Sequence, residues 1–137
     1  SPSIATLVDI LNALGSNLSD FFHEETEEMI VFSEAEYIEK NTDGVCINWV
    51  IPNAQKNRME PLLVELSPGG ATEPDVPHEG EEFGFVLEGR IAVIRADKQY
   101  PVKKGESFYY TADKEHYIVN KGKSRARFLW VSTPPNF

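Results

Sequence analysis

The stretch from His78 to Gly89, HEGEEFGFVLEG, places side chains of metal-binding type at the start of an apolar run. His78 and Glu82 lie four positions apart, and imidazole and carboxylate groups both offer lone pairs to divalent metal ions. One interpretation is a metal site inside a small barrel. The other is a polar loop that leads into a strand and whose charges only face water. These residues by themselves leave both interpretations open.

The composition limits the classes of protein to which the chain can belong. Its 137 residues, 41% hydrophobic and 26% charged, are typical of one globular domain, or of one domain plus a fragment. The net charge of −9 disfavours general contact with phosphate backbones, so we expect no DNA binding by this chain alone. Apolar runs such as VCINWVI are too short to cross a bilayer, and a single cysteine suits a reducing compartment. We therefore expect a cytoplasmic protein without a membrane partner.

Two kinds of segment must position the candidate ligands. In residues 1–22, apolar side chains recur at helical spacing, and Gly15 followed by Asn17 is typical of the end of one helix and the start of another. We predict two short α-helices there, followed by an acidic linker at residues 23–28, HEETEE.

From residue 29 onward the pattern changes to short runs rich in β-branched and aromatic residues. These runs are MIVF, VCINWVI, LLVEL, FGFVL, RIAVI, SFYY, YIVN and RFLWVS. Turn-forming segments such as SPGG and RADKQYP separate them, and no helical pattern interrupts the series. Residues 29–137 are therefore predicted to form an all-β sandwich or barrel.

Two segments of the β-rich region resemble the two sequence motifs of the cupin superfamily. The first is GGATEPDVPHEGEEFGFVLEG, with Gly70, His78, Glu82 and Gly89 at the motif positions, and the second is GESFYYTADKEHYIVN, with Gly105, His116 and Asn120. The resemblance implies a double-stranded β-helix, the jelly-roll barrel, with the two motifs on facing strands. In this chain two short α-helices would precede that barrel.

The same resemblance implies a metal centre made by His78, Glu82 and His116. Two imidazoles and one carboxylate are the ligand types of a facial triad, which suits a single divalent ion such as Zn, Ni, Fe or Mn. The first motif usually carries a further histidine, and Val76 stands at that position. We expect the replacement Val76→His to raise metal affinity. The alternative is a metal-free pocket that binds an organic ligand.

The amino-terminal segment resembles a second family. PSIATLVDILNALGSNLSDFF is similar to the last two helices of the helix-turn-helix domain of lambda-repressor-like (XRE) regulators, whose DNA-reading helix lies upstream of the matched part. A known class of bacterial regulators joins such a domain to a cupin. The combined resemblance implies the effector-sensing half of a transcriptional regulator, cut before its recognition helix. It would bind a small molecule in the barrel, form a homodimer and reach DNA only through the missing part.

Two other classes of function stay open at this point. One is a stand-alone metal-dependent cupin enzyme of dioxygenase or isomerase type, acting on a small acid or sugar. The other is a non-catalytic binding module with a purely structural barrel. We expect no enzyme and no catalytic residues, because the sequence contains no visible nucleophile–base pair or cofactor motif. The leading helices also favour the regulator, since an enzyme has no obvious need of them.

Overall fold

The computed structural model describes residues 29–137. The two predicted helices in residues 1–22 and the predicted linker at 23–28 lie outside the described residues. Backbone contacts divide the chain into Ser1–Val31 and Phe32–Phe137, and every element named below belongs to the second unit. Within the described residues, no helix combines the length and the apolar character that a membrane crossing requires.

Nine strands build the described part of the chain. They are β1 (Ile38–Thr42), β2 (Val45–Trp49), β3 (Glu60–Leu66), β4 (Glu81–Glu88), β5 (Arg90–Arg95), β6 (Lys98–Lys103), β7 (Ser107–Thr111), β8 (His116–Val119) and β9 (Ala126–Thr133). One turn of 3-10 helix, Ala54–Lys56, lies between β2 and β3. The strands form a six-stranded sheet in the order β1-β2-β3-β9-β4-β7 and a three-stranded sheet in the order β6-β5-β8. The prediction of an all-β architecture is confirmed for these residues.

The core follows from the alternation of side chains along the strands. In β3 and β9 every second residue is buried, because successive side chains of a strand point to opposite faces. The inward side chains of both sheets meet in one apolar cluster, which includes Leu62, Val64, Leu66, Val86, Ile91, Val93, Phe108, Ile118, Phe128 and Trp130. The candidate ligands Glu82 on β4 and His116 on β8 are buried as well.

Three segments differ from the prediction. The run MIVF forms no strand, and Met29, Ile30 and Val31 are each more than half exposed. The sequence pattern missed β1 because all five of its residues are exposed, and backbone pairing with β2 defines it instead. The segment KQYP, which the sequence pattern places in a turn, lies in β6, where Pro101 is tolerated because β6 is an edge strand.

Two motif glycines have clear steric reasons. Gly89 forms the turn between β4 and β5 with φ of 72°, and a Cβ there would lie 2.5 Å from the carbonyl oxygen of Arg125. At Gly70 a Cβ would lie 2.2 Å from the carbonyl oxygen of Gly44. Both positions therefore require glycine in order to bring backbone segments close together.

Candidate metal centre

The structure brings the three predicted ligands together from both sheets. His78 lies in the loop before β4, Glu82 is the second residue of β4, and His116 is the first residue of β8 in the facing sheet. Glu82 Oε2 is 3.0 Å from His78 Nε2 and 3.1 Å from His116 Nε2. The side chains of Glu82 and His116 are fully buried, and that of His78 is 14% exposed.

A fourth residue, Asp75, joins this group and was not identified from the sequence. Its backbone N–H donates to the carbonyl oxygen of His116 at 2.8 Å, and the N–H of His116 donates to the carbonyl oxygen of Asp75 at 3.1 Å. This antiparallel bridge places both side chains on the same face. Asp75 Oδ2 is 3.4 Å from His78 Nε2 and 3.5 Å from His116 Nε2.

The position of Asp75 changes the interpretation of its neighbour Val76. The Val76 side chain is 70% exposed, whereas Asp75 is directed toward the two imidazoles. The side chain of a histidine at position 76 would therefore start on the solvent-exposed side of the chain, away from the two imidazoles. The expectation that Val76→His completes the ligand set therefore has no support in the geometry, and the fourth group comes from one residue earlier. One potential ligand atom from each of Asp75, His78, Glu82 and His116 lies within 4.8 Å of the others.

Hydrogen bonds to the backbone determine the tautomer of both histidines. His78 Nδ1 is 3.0 Å from the carbonyl oxygen of Glu79, and His116 Nδ1 is 2.8 Å from the carbonyl oxygen of Lys114. A carbonyl oxygen only accepts, so each Nδ1 carries a hydrogen and donates it. In the neutral rings, both Nε2 lone pairs then face carboxylate oxygens. Such a group of converging lone pairs requires a cation among them, either protons or a metal ion.

Two further side chains orient the Glu82 carboxylate. Tyr110 Oη donates a hydrogen bond to Glu82 Oε1 at 2.6 Å, and Trp130 Nε1 donates to the same oxygen at 2.8 Å. The other oxygen, Oε2, is thereby directed toward the histidines. Hydrogen-bonded partners of this kind hold a ligand in one orientation, which is the usual arrangement around protein-bound metals.

The ionisation of the group reflects these contacts. Burial alone would raise the pKa of Glu82, but hydrogen bonds from His116 and Tyr110 and the nearby imidazoles outweigh it and lower that pKa. Burial would lower the pKa of His116, yet its contacts with Glu82, the Lys114 carbonyl and Asp75 raise it. Burial beside Glu82 raises the pKa of Tyr110, so Tyr110 remains a donor. Without a metal, the buried pair favours a proton on His116.

The second-motif residue Asn120 has a structural contact pattern. Its Nδ2 donates to the carbonyl oxygens of Leu66 and Ser124 at 3.0 and 2.8 Å, and its Oδ1 accepts from the N–H of Gly122 at 2.9 Å. All of these partners are backbone groups. Asn120 therefore stabilises the backbone around the β8–β9 turn, and its side chain makes no hydrogen bond to the candidate ligands.

A cavity of about 310 Å³ adjoins the four-residue group. Asp75 is a member of the group and also lines the cavity, and Trp130, which donates to Glu82, lines the cavity as well. The other lining residues are mostly apolar or weakly polar, with Lys40 and Glu73 as the charged exceptions: Lys40, Thr42, Val45, Ile47, Trp49, Leu62, Ala71, Thr72, Glu73, Pro74, Asn136 and Phe137. A small molecule in this cavity would therefore lie next to the Asp75 carboxylate.

The donor set fits a divalent transition metal. Two imidazole nitrogens and two carboxylates are ligands that Zn, Fe, Ni and Mn accept, and both imidazoles donate their other N–H to backbone carbonyls as ligating histidines usually do. Asp75, His78, Glu82 and His116 are the residues that would hold such an ion.

Comparisons with known proteins agree with this architecture. The Cupin domain family matches residues 62–132. The HTH-type transcriptional regulator PuuR of Escherichia coli is 31% identical over 141 aligned residues, which cover 100% of this chain and 76% of PuuR. The cupin domain of an XRE-family transcriptional regulator from Enterobacter cloacae superimposes with a TM-score of 0.60 at 17% identity, over 68% of this chain and 99% of that one. A sugar phosphate isomerase of the cupin superfamily from Silicibacter pomeroyi gives 0.64 at 21% identity, over 77% and 76%.

Proposed function

This chain belongs to the cupin family and is related over its whole length to an HTH-type transcriptional regulator, and from that premise we propose that it is the effector-sensing domain of a bacterial DNA-binding regulator. In this proposal the barrel holds one divalent metal ion through His78, Glu82 and His116, with Asp75 as a fourth ligand. A small molecule is sensed in the adjoining cavity.

The arrangement of lone pairs supports the metal most directly. Both Nδ1 atoms are occupied by backbone carbonyls, which directs both Nε2 atoms at Glu82 Oε2, and Tyr110 and Trp130 bind the opposite oxygen of that carboxylate. A metal ion satisfies all of these atoms at once. Protonation of both imidazoles would do so only at the expense of two buried or half-buried positive charges.

The cavity next to the metal group is proposed as the effector pocket. Its apolar walls favour a small ligand with an apolar body, and Asp75 places the metal group at one boundary of the cavity. The metal, when bound, supplies a Lewis acid to which a polar group of the ligand can bind. A ligand regulates the protein only if it binds one arrangement of the regulator better than another.

DNA binding and dimerisation belong to the same proposal. DNA would be contacted by the helix-turn-helix part of the regulator that residues 1–22 resemble, and not by the barrel. The regulator would act in the cytoplasm as a homodimer, because two-fold symmetric operators match two-fold symmetric proteins.

A metal-dependent cupin enzyme is the second candidate. One observation favours it: the ligand group borders a cavity large enough for a small substrate. The regulator is preferred because the relative with 31% identity over the full chain is a transcriptional regulator.

Calorimetric titration with Zn²⁺, Ni²⁺ and Mn²⁺, and with Fe²⁺ in the absence of oxygen, tests the metal centre. We expect one ion per chain, loss of binding in Glu82→Ala, and affinity reduced by about tenfold or more in Asp75→Ala. Val76→His is the matched control and should leave the affinity unchanged, because the Val76 side chain faces solvent. Failure of the folded wild type to bind any of the four ions would contradict the metal centre. A gain of affinity in Val76→His would contradict the role of Asp75.

A further inference from the structure

The segment that follows β9, residues 134–137, lies against both the cavity and the metal group. Asn136 and Phe137 line the cavity together with Asp75 and Trp130. The Phe137 ring lies 4.6 Å, centroid to centroid, from the ring of Trp130, whose Nε1 donates to Glu82. This short segment therefore borders the cavity and packs against the residue that donates to Glu82.

A buried carboxylate holds the segment in place. Glu60 is fully buried, and its Oε1 accepts the backbone N–H groups of Asn136 at 3.1 Å and Phe137 at 2.7 Å. Gln55 Nε2 lies 3.4 Å from the other oxygen. Among residues 29–137 no ion pair involves Glu60, so these N–H groups supply the stabilisation that a buried carboxylate needs. Such an anchor fixes the backbone at Asn136 and thus the position of its side chain.

The Asn136 side chain donates to the metal group directly. Its Nδ2 donates to Asp75 Oδ2 at 2.7 Å, and that oxygen is the one that faces His78 Nε2 and His116 Nε2. Among the four candidate ligands, Asp75 has the most exposed side chain, at 29%. Without a partner, this carboxylate would be free to rotate toward water. Asn136 therefore holds the most exposed of the four groups.

We propose that Asn136 is a positioning residue of the metal centre: anchored through Glu60, it holds Asp75 in its ligating orientation and so links the metal centre to the wall of the cavity. The proposal rests on the metal centre of the proposed function. Partners that orient metal ligands typically contribute about 10-fold to 100-fold in affinity. Because coupling between two sites is reciprocal, a molecule that displaces residues 136–137 from the cavity wall would weaken metal binding, and bound metal would weaken its binding in turn.

A double-mutant cycle on the full chain, with metal affinity measured by calorimetry, tests the proposal. Asn136→Ala should lower the affinity for the ion that the wild type binds by about tenfold. In the Asp75→Ala background the same substitution should have little effect, because Asn136 acts through Asp75. Asn136 is exposed, so the variant should fold, and its melting temperature would be measured beside the affinity. The absorption spectrum of bound Co²⁺ should also change in Asn136→Ala as the carboxylate leaves the ion.

The matched control is Thr133→Val at the last residue of β9, next to this segment, which removes the hydrogen bond from Thr133 Oγ1 to the carbonyl oxygen of Arg58. It should leave the affinity and the Co²⁺ spectrum as in the wild type. An unchanged affinity in Asn136→Ala, beside a wild type that binds metal, would overturn the positioning role and leave the metal centre intact. An equal loss in both backgrounds would overturn it as well. If the wild type binds no metal, the proposed metal centre fails and the positioning role fails with it.

Discussion

At the scale of single residues, the chemistry of the candidate centre depends on hydrogen bonds made by atoms that would not touch a metal. The Nδ1 contacts of His78 and His116 decide which nitrogen faces the carboxylates, and Tyr110 and Trp130 decide which oxygen of Glu82 faces the imidazoles. The proton that is favoured on His116 without a metal occupies the atom that a metal would bind, so protons and metal compete there.

This competition predicts opposite pH dependences for the metal-free and the metal-bound protein. The pKa of His116 is raised above its ordinary value of 6.5, so its stabilising contribution is complete below that pH and is lost as the pH rises through the folded-state pKa. The urea concentration at the midpoint of unfolding should thus be lower at about pH 8 than at about pH 6 for the chelator-treated protein. Metal-loaded protein should show the reverse, because ligation requires deprotonated imidazole.

The control for this measurement is His116→Gln, which keeps a polar side chain but removes the titrating ring. The difference in stability between the two pH values should be smaller in the metal-free variant than in the metal-free wild type. The lowered pKa of Glu82 acts in another range, since its contribution is present above about pH 4.5 and is lost as the pH falls further. A metal-free wild type that is more stable at the higher pH would contradict the assignment.

At the scale of elements, the strands position the centre by pairing rather than by their own propensity. Glu82 on β4 lies opposite Tyr110 on β7, and Asp75 bridges to His116 on β8. Cross-strand neighbours are close enough to interact directly, so a change in the packing of β4 against β7 should reach the centre.

Gly84 on β4 offers a test of that packing. It pairs with Phe108, and a Cβ at position 84 would lie 2.1 Å from Phe108 Cζ. Phe108 is 9% exposed and lies beside Tyr110 and Phe128, so it has little room to move. We expect Gly84→Ala to destabilise the protein by about 1–3 kcal/mol, measured by urea unfolding.

The compensating variant is Gly84→Ala combined with Phe108→Leu, which replaces the ring by a smaller side chain. It should recover part of the lost stability, since the three atoms nearest to such a Cβ all belong to the Phe108 ring. A Gly84→Ala variant as stable as the wild type would contradict the close approach of Phe108 to Gly84 between β4 and β7.

At the scale of the whole molecule, the net charge bears on which part of the proposed regulator contacts DNA. The chain carries a net charge of −9, and the full-length match is to an HTH-type transcriptional regulator. An acidic surface repels phosphate backbones, so specific DNA contact requires a different, basic surface. The regulator proposal thus separates the site of sensing from the site of DNA binding.

The 137-residue chain is accordingly expected to form a homodimer that does not bind DNA. Light scattering at about 10 µM should give twice the mass of one chain, with barrel strands forming most of the contact. Mobility-shift titration should show no sequence-specific complex, whereas a longer chain that includes the helix-turn-helix part should bind a two-fold symmetric site. A monomer at that concentration would contradict the dimer. Tight specific binding by the 137-residue chain would contradict the division of roles.

The sequence by itself determined the β-rich character of residues 29–137 and three of the four members of the candidate centre. Turn glycines and alternating apolar residues are local signals, and His78, Glu82 and His116 stand at motif spacings that can be read along the chain. The prediction failed where a strand carries no local signal, as in β1, which is exposed throughout and exists because β2 pairs with it.

Only the tertiary structure placed Asp75 in the centre. Asp75 is 41 positions from His116 in the sequence and becomes its neighbour through a backbone bridge between two segments. Likewise, the contact between Asn136 and Asp75 joins residues 61 positions apart. Spacing along the chain carries no information about such contacts, because long-range pairing depends on the closure of the whole sheet. The cavity beside the candidate ligands could not be predicted from the sequence either, because its walls come from several elements that are far apart in the chain.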